Sequence, residues 1–215
     1  MPEIRAVLFD FGGVILSSPI EGFRAYELAA NLPTGFIQKL NTIDPHTNAW
    51  ACMERGELDE ATFHSRFEAE GLAQGHVFDS RTVLGQLTGQ IRPAMVDAVR
   101  SLRGRYRVAC LTNNMPLQFG SAMAPTPERA AEIAAVMAVF EHVVESSKIG
   151  SRKPEPRFYQ RACEIVGVAP EHCVFLDDLG VNLKPARALG MTTIKVDDPA
   201  VALTELEAVL GHPLR

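Results

Sequence analysis

Five short, mostly apolar runs constrain this chain more than any other feature, because each ends in polar, acidic or turn-forming residues. Residues 4–9 read Ile-Arg-Ala-Val-Leu-Phe and run into Asp10 and then Gly12-Gly13. Residues 107–112 end at Thr112, before Asn113-Asn114, and residues 142–145 lead into a Ser/Gly-rich loop. Residues 173–176 precede Asp177-Asp178, and residues 192–196 precede Asp197-Asp198-Pro199. Runs of this length between turn residues read as strands buried on both faces, the pattern of a parallel sheet. Helical patterns lie between them. Pro93 opens one in which Met95, Val96, Val99 and Leu102 recur before Gly104 closes it, and Pro154 opens another whose face carries Phe158, Ala162, Ile165 and Val166. Strands alternating with helices imply right-handed crossovers, so the expected class is α/β with a Rossmann-like, doubly wound parallel sheet.

One connection breaks this rhythm. Residues 17–90 contain no strand-like run, only amphipathic helical stretches such as 21–32 and 59–72, which is too much order for a loop. The expected organisation is an α/β core formed by residues 1–16 and 91–215, with a helical cap subdomain of residues 17–90 inserted after the first strand. That division accounts for a length of 215, large for one unit and small for two equal ones. The net charge of −5 divides the same way, since residues 17–90 hold 5 Lys+Arg and 10 Asp+Glu and the remainder balances.

Mild acidity provides neither a basic footprint for nucleic acid nor a polybasic signal for a membrane surface, so neither is an expected partner. No apolar run approaches the ~20 residues of a spanning helix, and the Met-Pro-Glu start lacks the pattern of a signal peptide. A cytoplasmic location is therefore expected. Cys52, Cys110, Cys163 and Cys173 stand singly, which reads as free thiols rather than a disulfide frame or zinc site.

In an open parallel sheet, ligands bind outside the carboxyl ends of the strands. Asp10, Thr112-Asn113, Lys153 and Asp177-Asp178 all fall at or just after such ends, and should converge on one crevice. Singly, each has a simpler reading as a cap, a turn former or a solvated charge; together they suit phosphoryl transfer. A carboxylate can attack phosphorus to give an aspartyl-phosphate that water then hydrolyses. Spread negative charge on the transferring group calls for a metal ion, a lysine and short hydrogen-bond donors. Asp10 is the expected nucleophile and a metal ligand, Asp178 a second ligand, and Asp177 the carboxylate behind it. Lys153 would neutralise charge, and Thr112 and Asn113 would hold phosphate oxygens. Lys148 is a rival for that lysine, but Lys153 alone lies in the Lys-Pro context that opens a helix. Gly12 and Gly13 would let backbone approach the phosphate or turn sharply. Hard carboxylate oxygens without a His or Cys cluster favour Mg²⁺.

Asp10-Phe-Gly-Gly-Val, Leu111-Thr-Asn-Asn, Lys153-Pro-Glu-Pro and Phe175-Leu-Asp-Asp-Leu-Gly resemble, in order and spacing, the four motifs of the haloacid dehalogenase superfamily. The stretch 146–196 further resembles the branch that includes the N-terminal phosphatase module of soluble epoxide hydrolase and the module fused to some acyl-CoA dehydrogenases. The resemblance implies a Mg²⁺-dependent phosphohydrolase, a sheet in strand order 3-2-1-4-5, and a helical cap that gates a small phosphorylated substrate. It also implies a metal contact through the backbone carbonyl of residue 12. In one respect the chain departs from the pattern: the second Asp of the family's first motif, its general acid/base, is replaced by Gly12. General acid–base catalysis contributes typically 10²–10⁴-fold. The expectation is therefore a hydrolase restricted to activated substrates such as acyl phosphates. The alternatives are a weakly active phosphate-binding scaffold and a 2-haloacid dehalogenase. His46, His64 and His76 of the cap are titratable candidates for the missing proton donor, each more simply read as an exposed, capping or packing histidine.

Overall fold

We describe the chain from a computed structural model, which places residues 2–87, 89–117 and 126–214. Residues 1, 88, 118–125 and 215, which fall within the expected domain limits, lie outside the described residues. The five apolar runs form strands β1 (Ala6–Phe9), β2 (Arg107–Thr112), β3 (His142–Glu145), β4 (Cys173–Asp177) and β5 (Thr192–Lys195). They make one parallel sheet in the order β3-β2-β1-β4-β5, as expected. The first strand is shorter than the run 4–9, because Arg5 is exposed and only its backbone continues the pairing, from Arg107 N to Arg5 O at 2.9 Å.

Strand β1 is central and carries no solvent-accessible surface from Ala6 to Phe9. Its residues alternate between two cores. Val7 and Phe9 pack beneath α6 (Pro93–Leu102), α7 (Pro127–Met137) and α11 (Pro199–Leu210). Ala6 and Leu8 face α9 (Pro156–Val166) and α10 (Gly180–Ala188). Register sets Phe9 beside Cys110 of β2 and Leu176 of β4, so the residues that follow these three strands emerge at one edge.

Two details differ from the sequence pattern. Helix α9 begins at Pro156 rather than Pro154, and Ile165 lies off its buried face at 38% exposure. The buried face is made by Phe158, Ala162 and Val166 with Tyr159 and Cys163, two rows at i, i+4 spacing, and Ile165 sits one position out of step.

Between Leu16 and Ile91 the chain leaves the sheet and returns beside itself, joined by an antiparallel bridge at those two residues. The segment holds α1 (Ile20–Ala29), α2 (Phe36–Leu40), α3 (Ala49–Glu54), α4 (Glu60–Ala73) and α5 (Ser80–Gly85), with no strand among the described residues. Its apolar centre includes Phe23, Trp50, Phe63, Phe67 and Phe78, and Met115 enters it from the loop after β2. Much of its acidic excess is structural. Asp59 and Asp79 cap α4 and α5, Glu27 accepts from Gly35 N and Ile37 N, and Glu70 accepts from Ala49 N. Such carboxylates satisfy backbone N–H groups that a helix start leaves unpaired. Among the described residues no helix is long and apolar enough to cross a membrane.

Candidate active site

Asp10 follows β1 at the sheet's centre, where its backbone N–H donates to Leu176 O at 2.8 Å. Its Oδ1 accepts from Phe11 N at 2.6 Å, and a five-residue turn, Phe11–Ile15, is closed by Leu16 N donating to Phe11 O at 2.8 Å. The two glycines of this turn have different tasks. Gly13 has φ 78°, and a Cβ there would lie 2.1 Å from Asp178 Oδ2. Gly12 has an ordinary φ of −70°, and a Cβ there would meet nothing within 4 Å. Arg92, at the return from the helical segment, donates to Gly13 O at 2.5 Å and fixes the turn.

Asp177 closes β4 and Asp178 follows it. Lys153, only 1% exposed, reaches between strands, with Nζ 2.7 Å from Asp10 Oδ1 and 2.8 Å from Asp177 Oδ2. Asp177 is held from the other side by Leu179 N at 2.8 Å and by Asn182 Nδ2 at 3.0 Å, both on Oδ1. Oxygens of Asp10, Asp177 and Asp178 come within 4.8 Å of one another. Lys148, the rival lysine, is exposed and pairs with Glu145 instead.

Crowding these charges has electrostatic consequences. Burial raises the Asp10 carboxyl well above its usual range; Lys153 opposes that shift, while Asp177 and Asp178 add to it. Burial, and then Asp177, push Asp178 up to about 6. For Lys153, burial favours the neutral form, but Asp10 and Asp177 outweigh it and hold the ammonium above its ordinary range. Lys153 is thus a fixed positive charge facing an excess of carboxylate.

Thr112, the last residue of β2, is buried at this edge. The side-chain amide of Asn113 is turned to another use: Oδ1 accepts from Lys153 N at 2.8 Å, and Nδ2 donates to Lys153 O at 2.9 Å and to Glu54 Oε2 at 3.0 Å. What Asn113 can offer an anion is therefore its backbone N–H. Two histidines of the helical segment are engaged elsewhere, and His46 offers its carbonyl to Arg55 Nη2 at 2.8 Å. His64 is buried against Ser80 Oγ at 2.7 Å, and His76 packs on the Phe36 ring.

Sequence reasoning passed over Glu54, Arg92, Arg152 and Asn182. Glu54 is buried and takes Asn113, Arg152 Nε and Trp50 Nε1. Asn182 had a signal, its place five residues after Asp177 in the first turn of α10. Arg92 had one too, directly before the helix-opening Pro93. Glu54 had none for its place at the site, since Asn113 and Arg152 are about 60 and 100 residues away.

The profile of haloacid dehalogenase-like hydrolases matches residues 4–190. The chain is 36% identical over 217 residues to acyl-CoA dehydrogenase family member 10 of Mus musculus, covering 98% of this chain and 19% of that protein. It is 29% identical over 219 residues to bifunctional epoxide hydrolase 2 of Mus musculus, covering 97% and 39%. It thus spans about a fifth and two fifths of the length of these two relatives. A sesquiterpene phosphatase of Aspergillus oryzae is 25% identical over 211 residues, with 96% of this chain and 97% of that protein covered. Among solved structures, an enzyme of the same family from Bacteroides thetaiotaomicron, in complex with magnesium and inorganic phosphate, shares the fold. It aligns with a TM-score of 0.57 at 20% identity, over 89% of this chain and 93% of that one. The strand order, the carboxylates at the sheet's central edge and the profile match agree: the chain belongs to the haloacid dehalogenase-like hydrolases.

Proposed function

We propose that the chain is a Mg²⁺-dependent phosphohydrolase that acts on a small phosphorylated metabolite through an aspartyl-phosphate at Asp10. The observation that carries this reading is the buried Lys153 ammonium, shared between Asp10 and Asp177 at 2.7 and 2.8 Å. Among the described residues both hydrogen bonds to the Asp10 carboxylate fall on Oδ1, which leaves Oδ2 as the attacking atom. Oδ2 forms a bond to phosphorus as the bond to the leaving oxygen breaks; water then cleaves the acyl phosphate and returns the carboxylate. Lys153 offsets charge on the phosphoryl oxygens, and the Thr112 hydroxyl and Asn113 N–H hold them.

The residues fit a divalent cation. Three carboxylates crowd together against one lysine, with no His or Cys among them. Asp177 already accepts from Lys153, Leu179 and Asn182, so we assign ligation to Asp10, Asp178 and the Gly12 carbonyl, with Asp177 behind them. When bound, Mg²⁺ offsets the charge on the transferring phosphoryl group and orients it. The clustered carboxylates favour this reading over a haloacid dehalogenase, whose chemistry needs no metal.

The open space at Gly12 narrows the substrate. No side chain there protonates a leaving group, so the reading favours activated substrates such as acyl phosphates, whose carboxylate leaves without an acid. The same observation supports a second reading, a phosphate-binding scaffold with little turnover. Residues 17–90 act as a cap that selects the substrate, seated on the core through Glu54. Four free, buried cysteines support a reducing, cytoplasmic location. The decisive experiment measures Mg²⁺-dependent phosphate release from a panel of simple esters and acyl phosphates, with Asp10→Asn as control. Turnover of acyl phosphates that Asp10→Asn abolishes supports the hydrolase; Mg²⁺-dependent phosphate binding without turnover supports the scaffold. Turnover unchanged in Asp10→Asn overturns the mechanism.

A further inference from the structure

Helix α3 of the cap ends directly on the loop that carries Lys153. Glu54, its last residue, is 7% exposed and lies where cap and core meet. Its Oε1 accepts from Trp50 Nε1 at 3.0 Å, inside the cap. Its Oε2 accepts from two core groups, Asn113 Nδ2 at 3.0 Å and Arg152 Nε. Both lead to Lys153. Asn113 brackets the Lys153 peptide, accepting from its N–H and donating to its carbonyl, and Arg152 is the preceding residue. Lys153 in turn holds Asp10. Hydrogen bonds therefore run from an indole in the cap to the Lys153 peptide, and the ammonium of that same lysine pairs with the carboxylate that reads as the nucleophile.

Other contacts besides those of Glu54 join the cap to the core. Arg152 Nη1 donates to Pro45 O at 3.2 Å, and Arg55 Nη1 lies 3.4 Å from Glu155 Oε1. Gly56 lies so close to the core that a Cβ on it would come within 2.8 Å of Ser147 O. Glu54 differs from these in that its partners are the groups that fix the Lys153 backbone. Three donors converge on its carboxylate, which suits it to accept and orient rather than to supply the proton that Gly12 cannot.

Resting on the reading of Lys153 and Asp10 as phosphoryl-transfer groups, we propose that Glu54 is a positioning residue that couples seating of the cap to the geometry of Lys153. With the cap seated, Glu54 holds Asn113 and Arg152, and the Lys153 peptide is fixed for its ammonium to meet Asp10 and a phosphoryl oxygen. With the cap lifted, Asn113 and Arg152 lose their shared acceptor and the loop relaxes. Misplacement of a catalytic group by about 1 Å costs roughly 10²-fold in rate, so a lifted cap holds the site in an inactive arrangement.

The chain supplies its own reporter, because Trp50 is its one tryptophan and donates to Glu54. The experiment titrates wild type, Glu54→Gln and Glu54→Ala with inorganic phosphate in the presence of Mg²⁺. Binding is followed by calorimetry and by Trp50 emission, and kcat and KM are measured on an acyl phosphate. In wild type, phosphate shifts Trp50 emission. In both variants calorimetry still registers phosphate while the emission no longer follows it, and kcat falls roughly 10- to 100-fold with KM changed by less than about threefold. A residue that served only to hold the fold together would lower Tm and leave the emission response and the kcat-to-KM pattern intact; that result overturns the proposal. Failure of the underlying reading looks different: wild type itself neither binds phosphate with Mg²⁺ nor turns over the acyl phosphate, and the proposal falls with it.

Discussion

Gly13 and Asp178 share one space: a Cβ on residue 13 would sit 2.1 Å from Oδ2 and 2.2 Å from Cγ of the aspartate. The bare Cα lets the carboxylate after β4 lie against the turn after β1, and the left-handed φ of 78° directs that turn around it. Arg92, bonded to Gly13 O, holds the same turn from the side where the helical segment returns to the sheet. The site therefore depends on a contact between backbone and side chain that no pair of functional groups would reveal.

Gly13→Ala should accordingly be severe. A left-handed alanine costs roughly 1–2 kcal/mol, and displacement of Asp178 comes in addition. We expect a Tm lowered by roughly 4 °C or more and a loss of Mg²⁺ affinity, read by thermal melts with and without the ion. Gly12→Ala, at φ −70° with open space ahead of it, should leave the melt unchanged or raise it slightly. Equal losses in the two variants would contradict the difference drawn between these neighbouring glycines.

Gly12→Asp tests what the open space means. A Cβ there meets nothing within 4 Å and the backbone is ordinary, so the variant should fold. If Asp10, Lys153 and the cation are competent and only the acid is absent, hydrolysis of simple phosphate esters should rise roughly 10²–10⁴-fold, with acyl phosphates little changed. Strong ester hydrolysis from a wild type inert towards the whole panel would instead favour the scaffold. An unchanged ester rate would mean that the missing carboxylate is not what limits the site.

The sheet and the strand-end residues were legible in the sequence because both rest on local signals. Buried strands read as apolar runs, and their polar successors fall at one edge whenever the sheet is parallel. Asp10, Lys153, Asp177 and Asp178 converge for that reason. The Glu54 network was not legible, since a glutamate on a short helix carries no mark of the partners that folding brings to it. Asn113 reads from sequence as a turn former or a phosphate-binding residue, because a short amide beside a strand end suits either use as well as it suits the Lys153 peptide. The acidic excess of residues 17–90 is visible in the sequence as a charge count, but its use is not; the positions of Glu27, Asp59, Glu70 and Asp79 show that much of it caps helices and loops.

Asp178→Asn should trade function for stability. The Asp178 carboxyl is raised to about 6, chiefly by burial and next by Asp177. A folded pKa above the unfolded one means that the native state binds protons more tightly, so in the ion-free protein Asp178 costs stability as pH rises through about 6. Removing the charge should raise the ion-free Tm at pH 7.5 by roughly 2–6 °C, with the gain shrinking towards pH 5. Mg²⁺ should stabilise wild type and have little effect on the variant. A variant that melts below wild type at pH 7.5 without the ion would show that Asp178 is compensated within the chain.

Lys153→Met should do the opposite. It keeps the buried stem and removes the one ammonium between Asp10 and Asp177, leaving two buried carboxylates without a counter-charge. Breaking a buried pair from one side costs about 3–5 kcal/mol. The Asp10 carboxyl then loses the influence that lowers it, so its folded pKa rises further above the unfolded one. Its contribution is least harmful at low pH, where Asp10 is protonated, and the deficit grows as pH rises through its raised folded value. Urea unfolding of wild type and variant at pH 5 and pH 8 reads this directly, and the gap should be wider at pH 8. Mg²⁺ should narrow the gap at pH 8 by replacing part of the lost positive charge, without restoring turnover. A gap that is the same at both pH values, and indifferent to Mg²⁺, would show that Lys153 contributes packing rather than charge, and the phosphoryl-transfer reading of the site would lose its central group.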